Sequence, residues 1–379
     1  MKYSSSAMLL PFFFILVVLD HHFFLVVESK HYYGKTSNPL VPALYIFGDS
    51  LVDSGNNNYL QTNGKANYKP YGVDFPNGTA TGRFSNGLTT ADFIAKWLCL
   101  PYVPAYLSLS DNERSKITTG LNYASGAAGI LHETATLTIG GVLSLDEQIN
   151  YFHSTLRTDL PTLFETLEDL SQYLANSIFM INIGASDYLN NYLLPASYNS
   201  SKIYTPKKFS EVLLDTLKDV LTNLYNSGAR KFVVFDIGPI GCLPAIVMLV
   251  NPNPRTQCIE EVNDLVKIFN MGLTNLLQEL TSTLKGSTFI RVDYYKETYD
   301  PNQNPFKYGY TAGTTPCCVL GGPFNLPCVP NEPPCENRNA HIYFDTFHPT
   351  QRAHFEIAKS CFKGSTTCTP VNIRRLVNL

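Results

Sequence analysis

Charged residues are scarce in this 379-residue sequence, at 16%, whereas apolar residues make up 44%. This composition excludes a disordered chain, which carries many charges and few aromatic residues. Basic residues are slightly outnumbered, with 28 Lys and Arg against 31 Asp and Glu, which leaves a net charge of −3. Because no run of Lys or Arg could neutralise a phosphate backbone, we expect a folded protein with no nucleic-acid partner.

Long hydrophobic runs and zinc-type cysteine spacing are also missing. The longest apolar run, Ala7 to Leu19, falls short of the ~20 residues that span a bilayer. Its position after Lys2 is typical of a secretory signal peptide, so we predict a signal in residues 1–30 and a secreted protein without a transmembrane anchor. An uncleaved anchor is the alternative. Cys-x-x-Cys spacing is absent, and we expect no metal site.

Eight of the nine cysteines follow residue 240, which agrees with export to an oxidising compartment. They could form four disulfides whose pairing the sequence leaves open, and we expect Cys99 to remain a buried thiol on an apolar helical face. Asn77 and Asn199 begin glycosylation sequons, which also fit a secreted chain. The eight are Cys242, Cys258, Cys317, Cys318, Cys328, Cys335, Cys361 and Cys368.

Short β-prone runs alternate with helix-period segments from residue 41 to about 292. This alternation predicts an α/β fold with a parallel sheet covered by helices on both faces, in one domain spanning residues 40–379. A Cys- and Pro-rich loop region is expected at about 299–340. Ligand sites of such sheets lie beyond the carboxyl ends of the strands. The predicted strands are Val41 to Phe47, Leu121 to Ala124, Ile178 to Ile183, Lys231 to Ile237 and Thr288 to Val292.

A serine at the first of these strand ends is a candidate nucleophile. Ser50 follows Gly48-Asp49 directly after the first strand, although a turn or N-cap serine is the alternative reading of so short a motif. Near the other end of the chain, Asp345 precedes His348 by three residues. That spacing lets the carboxylate hold imidazole Nδ1 while Nε2 faces a serine. The three residues predict nucleophilic catalysis.

Backbone donors for an oxyanion are expected on the intervening strand ends. The Gly-rich turn in residues 122–129 can offer the N–H of Gly126 without side-chain obstruction, although a strand-to-helix turn that needs positive φ is the alternative. The stretch 183–191 after the third predicted strand is the next candidate.

These blocks, in this order, resemble the plant GDSL esterase/lipase family of the SGNH hydrolases, from about Ala43 to Cys361. The resemblance implies a flavodoxin-like three-layer α/β/α sandwich, a triad of Ser50, His348 and Asp345, an oxyanion hole with the N–H groups of Ser50 and Gly126, and no cofactor. The blocks are Phe47 to Asn57, Gly82 to Gly87, Asn122 to Gly126, and Asp345 to Thr350.

One position departs from the family pattern. Where that pattern has Gly-x-Asn-Asp, with the Asn amide as an oxyanion donor, this chain has Ser186 before Asp187. Losing such a donor costs ~10²- to 10³-fold in kcat unless the Ser186 hydroxyl replaces it. We therefore expect a secreted serine esterase/lipase acting on a small-molecule acyl ester, with an extracellular acyltransferase or a catalytically silent binding protein as alternatives. Acyl and alcohol specificity, oligomeric state and biological role stay open.

Overall fold

A five-stranded sheet forms the centre of the computed structural model, which describes residues 38–250, 258–321 and 327–379. The predicted signal peptide lies outside the described residues. Neighbouring strands pair in chain order, and the first four are parallel, whereas the last pairs antiparallel with its neighbour. Residues 38–379 belong to one unit. The strands are β1 (Leu44–Gly48), β2 (Ile178–Asn182), β3 (Lys231–Phe235), β4 (Thr288–Val292) and β5 (Cys368–Thr369).

The run Leu121 to Ala124 was predicted as a strand and forms only isolated bridges. It still follows β1 in parallel, since the N–H of Ile46 donates to Leu121 O and the N–H of Tyr123 donates to Ile46 O, at 3.1 and 2.8 Å. On its outer side Asn122 meets the Pro104 carbonyl instead of another strand. With this segment counted as the second strand, the parallel order is 2-1-3-4-5, which is the flavodoxin-like order.

Helices cover both faces of the sheet, as the alternating pattern predicts. Ser144 caps the helix that follows it in a capping box with Glu147, and Thr205 caps the helix that begins at Pro206. The helices within the described residues are α1 (Thr90–Trp97), α2 (Asp111–Arg114), α3 (Leu145–Ser154), α4 (Leu167–Asn176), α5 (Ala185–Asp187), α6 (Ser200–Ile203), α7 (Pro206–Asn226), α8 (Pro244–Val250), α9 (Glu260–Thr283), α10 (Tyr294–Gln303), α11 (Gln351–Lys363) and α12 (Ile373–Leu376).

Two hydrophobic cores lie on the two faces, because successive strand residues point to opposite sides of a sheet. Tyr45 and Phe47 of β1 pack in one core with residues of α3, α7 and α9. Leu44 and Ile46 pack in the other core with residues of α1, α11 and α12. The fold is therefore the predicted α/β/α sandwich.

The cysteines form four disulfides: Cys242–Cys258, Cys317–Cys335, Cys318–Cys328 and Cys361–Cys368. The expectation for Cys99 is wrong in its details. This residue follows the last turn of α1, has a φ of 60° and is only partly buried, because Leu98 already ends the helix. The Cys- and Pro-rich region also begins later than expected, since residues 299–303 complete α10.

Candidate active site

Ser50 lies immediately beyond the carboxyl end of β1, where two contacts fix the turn. At Gly48 a Cβ atom would lie 2.3 Å from the Asn182 carbonyl oxygen of β2, so only glycine lets the strands approach this closely. The side chain of Gln148 on α3 brackets the same glycine, because its Oε1 accepts from the Gly48 N–H at 2.8 Å and its Nε2 donates to the Gly48 carbonyl at 2.9 Å. The half-buried Ser50 is thus held at the edge of the sheet.

The three residues singled out for nucleophilic catalysis meet at this edge. Ser50 Oγ lies 2.7 Å from His348 Nε2, although 298 positions separate the two residues in the chain. His348 Nδ1 lies 2.9 and 2.7 Å from the two carboxylate oxygens of Asp345. His348 is 8% exposed and Asp345 is 2% exposed, so the acid is shielded from water and the imidazole nearly so. This is the geometry that proton transfer from a serine hydroxyl requires.

Asp345 is held as a carboxylate by several donors. Its Oδ1 accepts from the N–H groups of Phe347 and His348, both at 2.8 Å, and its Oδ2 accepts from the Tyr71 hydroxyl at 2.7 Å. Burial acts to raise the pKa of Asp345, but the neighbouring His348 and these hydrogen bonds outweigh it and lower the pKa below its usual value. The acid therefore stays ionised at neutral pH.

The block at residues 82–87 fastens the histidine loop from the other side. Arg83 forms a bidentate ion pair with Asp92 of α1, at 2.8 and 2.7 Å, which anchors the block to the scaffold. The adjacent Phe84 ring packs on the His348 ring with a centroid distance of 4.9 Å. Ser85 then donates to the carbonyl of Pro349 at 3.1 Å. The block at residues 82–87 thus orients the imidazole of His348.

The N–H of Gly126, expected as an oxyanion donor, already has acceptors in this structure. It donates to Asp53 Oδ2 at 3.1 Å and to Asn57 Oδ1 at 3.0 Å. The positive φ that the alternative reading placed in this turn belongs to Ala127, at 66°. Glycine is required at 126 for another reason, since a Cβ atom there would lie 2.6 Å from the Phe84 ring.

Ser186 lies in α5, just beyond the carboxyl end of β2, which pairs with β1. Ser186 is buried, with 5% of its surface exposed. The neighbouring Asp187 accepts from the N–H groups of Ile130 and Leu131 and from the Thr134 hydroxyl. Asp187 therefore braces the loop after Gly126, while Ser186 lies close to the edge that carries Ser50.

The remaining predictions concern glycosylation, metal binding and membrane insertion. Asn77 and Asn199 are both exposed, as a glycan acceptor must be. Within residues 38–250, 258–321 and 327–379, no group of three His, Cys, Asp or Glu side chains is arranged to hold a metal ion. In the same residues, no helix is long and apolar enough to cross a membrane.

Comparison with known proteins shows the family to which the chain belongs. The family model for the GDSL-like lipase/acylhydrolase matches residues 44–361. The chain belongs to this family. GDSL esterase/lipase 7 of Arabidopsis thaliana is 42% identical over 346 residues, covering 90% of this chain and 93% of the relative. GDSL esterase/lipase At1g71691 of the same plant is 40% identical, covering 91% and 88%. The protein is therefore a carboxylic ester hydrolase of the GDSL type, with small-molecule esters as substrates.

Several residues that build this GDSL site were missed in the sequence. Asp53 and Asn57 belong to the first block but were assigned no role, although two buried polar side chains so close to the nucleophile are a usable signal. Asn57 accepts from Ser125 Oγ at 2.5 Å and ties the first block to the Gly-rich turn. Tyr71 and Gln148 lie outside the blocks, and no local pattern distinguishes them from ordinary core residues.

Proposed function

We propose that this hydrolase acts through a Ser50–His348–Asp345 triad and a covalent acyl-enzyme. The observation that carries the proposal is the continuous chain of contacts from Ser50 Oγ through the imidazole to a buried, ionised Asp345. Ser50 attacks the ester carbonyl while His348 Nε2 takes its proton, and Asp345 stabilises the imidazolium that forms. The imidazolium then gives the proton to the leaving alcohol, and water cleaves the acyl-enzyme by the same path.

The oxyanion that develops in each step needs donors. We assign the Ser50 N–H as the first, since no described residue accepts a hydrogen bond from it. Gly126 can contribute only when its N–H turns away from Asp53 and Asn57, so its help is tied to movement of that turn. The Ser186 hydroxyl, directly or through a water, is the third donor. This hole is weaker than one with an amide at 186.

Two observations indicate that this hydrolase is slow. The Gly126 N–H is engaged by other acceptors, and a short hydroxyl occupies position 186. We expect turnover, and not a catalytically silent binding protein, because the nucleophile, base and acid are in contact. We also propose that the protein is secreted and glycosylated at Asn77 and Asn199, which fits its four disulfides.

The test is hydrolysis of p-nitrophenyl butyrate by the wild-type protein and by Ser50→Ala, with fluorophosphonate labelling as a second readout. We expect Ser50→Ala to lose both turnover and labelling. Ser54→Ala is the matched control, because Ser54 lies in the same loop and its buried hydroxyl has no hydrogen-bond partner among the described residues. Undiminished turnover in Ser50→Ala removes Ser50 from the mechanism. A wild-type protein that neither turns over ester nor accepts the label is the silent binding protein.

A further inference from the structure

Tyr71 reaches the acid of the triad from a part of the chain that carries none of the family blocks. Its hydroxyl donates to Asp345 Oδ2 at 2.7 Å across a separation of 274 residues, and its side chain is 2% exposed. We propose that Tyr71 is a positioning residue that fixes the Asp345 carboxylate and shares its negative charge, and so sets how tightly His348 holds a proton. This inference rests on the proposed triad.

The two oxygens of Asp345 are supported differently. Oδ1 accepts two backbone N–H groups, from Phe347 and His348, within the loop that carries the histidine itself. Oδ2 lies closer to His348 Nδ1, at 2.7 Å, and its one other donor among the described residues is the Tyr71 hydroxyl. Without that hydroxyl, Oδ2 faces the imidazole alone, and nothing outside the histidine loop fixes the plane of the carboxylate.

Tyr71 is suited to act as a permanent donor. Burial raises its pKa well above the usual value, and the nearby charge of Asp345 raises it further. The phenol therefore keeps its proton at any pH at which the enzyme is stable. A hydrogen bond from a neutral donor to a carboxylate is charge-assisted and takes up part of the negative charge. An Asp345 carboxylate that accepts this hydrogen bond attracts the imidazolium proton less strongly than a carboxylate without it.

The Tyr71 ring cannot follow movements of the carboxylate, because aromatic neighbours enclose it. Phe344 and Tyr68 meet it edge-on with centroid distances of 5.6 and 5.2 Å, and Phe84 meets it at 6.3 Å. The same cluster contains three disulfide-bonded cysteines of the Cys-rich loop: Cys317, Cys318 and Cys328. Tyr71 is thus held in place by packing against this disulfide-stapled loop, and it holds Asp345 in place in turn.

Three other titratable groups face the pair of Asp345 and His348. Asp49 lies beneath the nucleophile, and His354 lies on α11, and each interacts electrostatically with His348. Tyr68 interacts with Asp345, and its hydroxyl donates to the carbonyl of Cys328 at 3.1 Å. None of them replaces the Tyr71 hydrogen bond, so a Tyr71→Phe substitution removes one donor and leaves these groups in place.

The experiment compares wild type, Tyr71→Phe and Tyr173→Phe by the pH dependence of kcat/KM with p-nitrophenyl butyrate and by NMR titration of the His348 imidazole. In Tyr71→Phe we expect the acid limb and the imidazole titration to move to higher pH by about half a unit. We also expect kcat to fall about tenfold with KM unchanged, because the acid is less well fixed. Tyr173→Phe is the matched control and should superimpose on wild type, because Tyr173 is also buried and its hydroxyl donates to the carbonyl of Thr118 at 3.0 Å, but it lies on α4 and contacts no residue of the triad.

Site-specific 3-fluorotyrosine at position 71 adds a test that keeps the shape of the side chain and does not depend on how well Tyr71→Phe folds. Its more acidic phenol is a stronger donor, so the imidazole titration should move to lower pH. If the His348 imidazole titrates at the same pH in wild type, in Tyr71→Phe and in the 3-fluorotyrosine protein, the proposal is overturned. Absence of Ser50-dependent turnover in the wild type contradicts the proposed function instead, and the NMR titration still decides the role of Tyr71.

Discussion

At the scale of single residues, we propose that position 186 limits the catalytic strength of the site. A serine hydroxyl stands there where the family pattern has an amide, and Ser186 is buried just beyond β2. We predict that Ser186→Asn raises kcat for p-nitrophenyl butyrate by about 10- to 100-fold with KM nearly constant, because an amide donor reaches the oxyanion. Steady-state kinetics measure this.

Ser186→Ala is the control for that substitution, since it removes the hydroxyl without adding an amide. A further loss of kcat in Ser186→Ala would mean that the native hydroxyl already assists the reaction. If a folded Ser186→Asn protein shows no gain, the amide is not what limits turnover. The engaged N–H of Gly126 then becomes the feature that weakens the hole.

At the scale of elements, the stapled, Cys-rich loop supports Asp345, the acid of the proposed triad. The N–H groups of Cys317 and Cys318 both donate to the carbonyl of Phe344, at 3.0 and 2.9 Å, directly before Asp345. We predict that replacing Cys317 and Cys335 by serine lowers the free energy of unfolding by about 2–4 kcal/mol and also lowers kcat. Chemical denaturation and ester hydrolysis below the melting transition measure the two effects.

The Cys361–Cys368 disulfide is the matched control for the loop. It joins the end of α11 to β5 and packs in the core around Leu44 and Ile46, away from the histidine loop. Replacing this pair by serine should destabilise the protein to a similar degree while kcat is retained. Equal losses of kcat in the two double variants would show that the stapled loop has no special influence on the triad.

Elements with a strong hydrophobic period were predictable from the sequence. The four parallel strands and the long helices α7 and α9 follow from such patterns, because each buries one face or both. The segment from Leu121 was predicted as a strand, but Asn122 forms only isolated bridges, to Ile46 of β1 on one side and to Ala105 on the other. Cys99 was misplaced although Pro101, three residues beyond Leu98, is a local signal that α1 ends there.

The site was predictable only where a residue belongs to a recognisable block. Ser50, Asp345 and His348 lie in such blocks, so their contact could be expected. Tyr71 could not be found, because its role depends on a hydrogen bond across 274 residues and on no local spacing. The engagement of Gly126 was also hidden, since it depends on the three-dimensional course of the loop after Ser50.

At the scale of the whole molecule, buried carboxyl groups gather where the strands end. Burial is the main cause that raises the pKa of Asp49 and Asp236 to about 7, and of Asp53 and Asp187 to about 6. Unfolded, these acids ionise near pH 4. Their contribution to the stability of the folded protein is therefore fully present below about pH 4 and is lost as the pH rises towards 7. Burial also lowers the pKa of His354 to about 3. This histidine therefore destabilises the folded protein as the pH falls below 6.5, which is the opposite of the effect of the acids. The combined effect of the four acids is larger than that of the one histidine.

We predict accordingly that the melting temperature is higher at pH 5 than at pH 8, and that Asp49→Asn reduces this difference. An asparagine keeps the acceptor for the Leu51 N–H, which Asp49 Oδ1 now binds at 3.0 Å, and carries no charge to be buried. The Asp49→Asn protein should therefore melt well above wild type at pH 8 and only slightly above it at pH 5, as measured by differential scanning calorimetry. Asp215→Asn, at an exposed position on α7, should change neither value. A constant difference between Asp49→Asn and wild type at both pH values would mean that Asp49 does not titrate in this range, and the source of any pH dependence would then lie with the acids at the ends of β2 and β3.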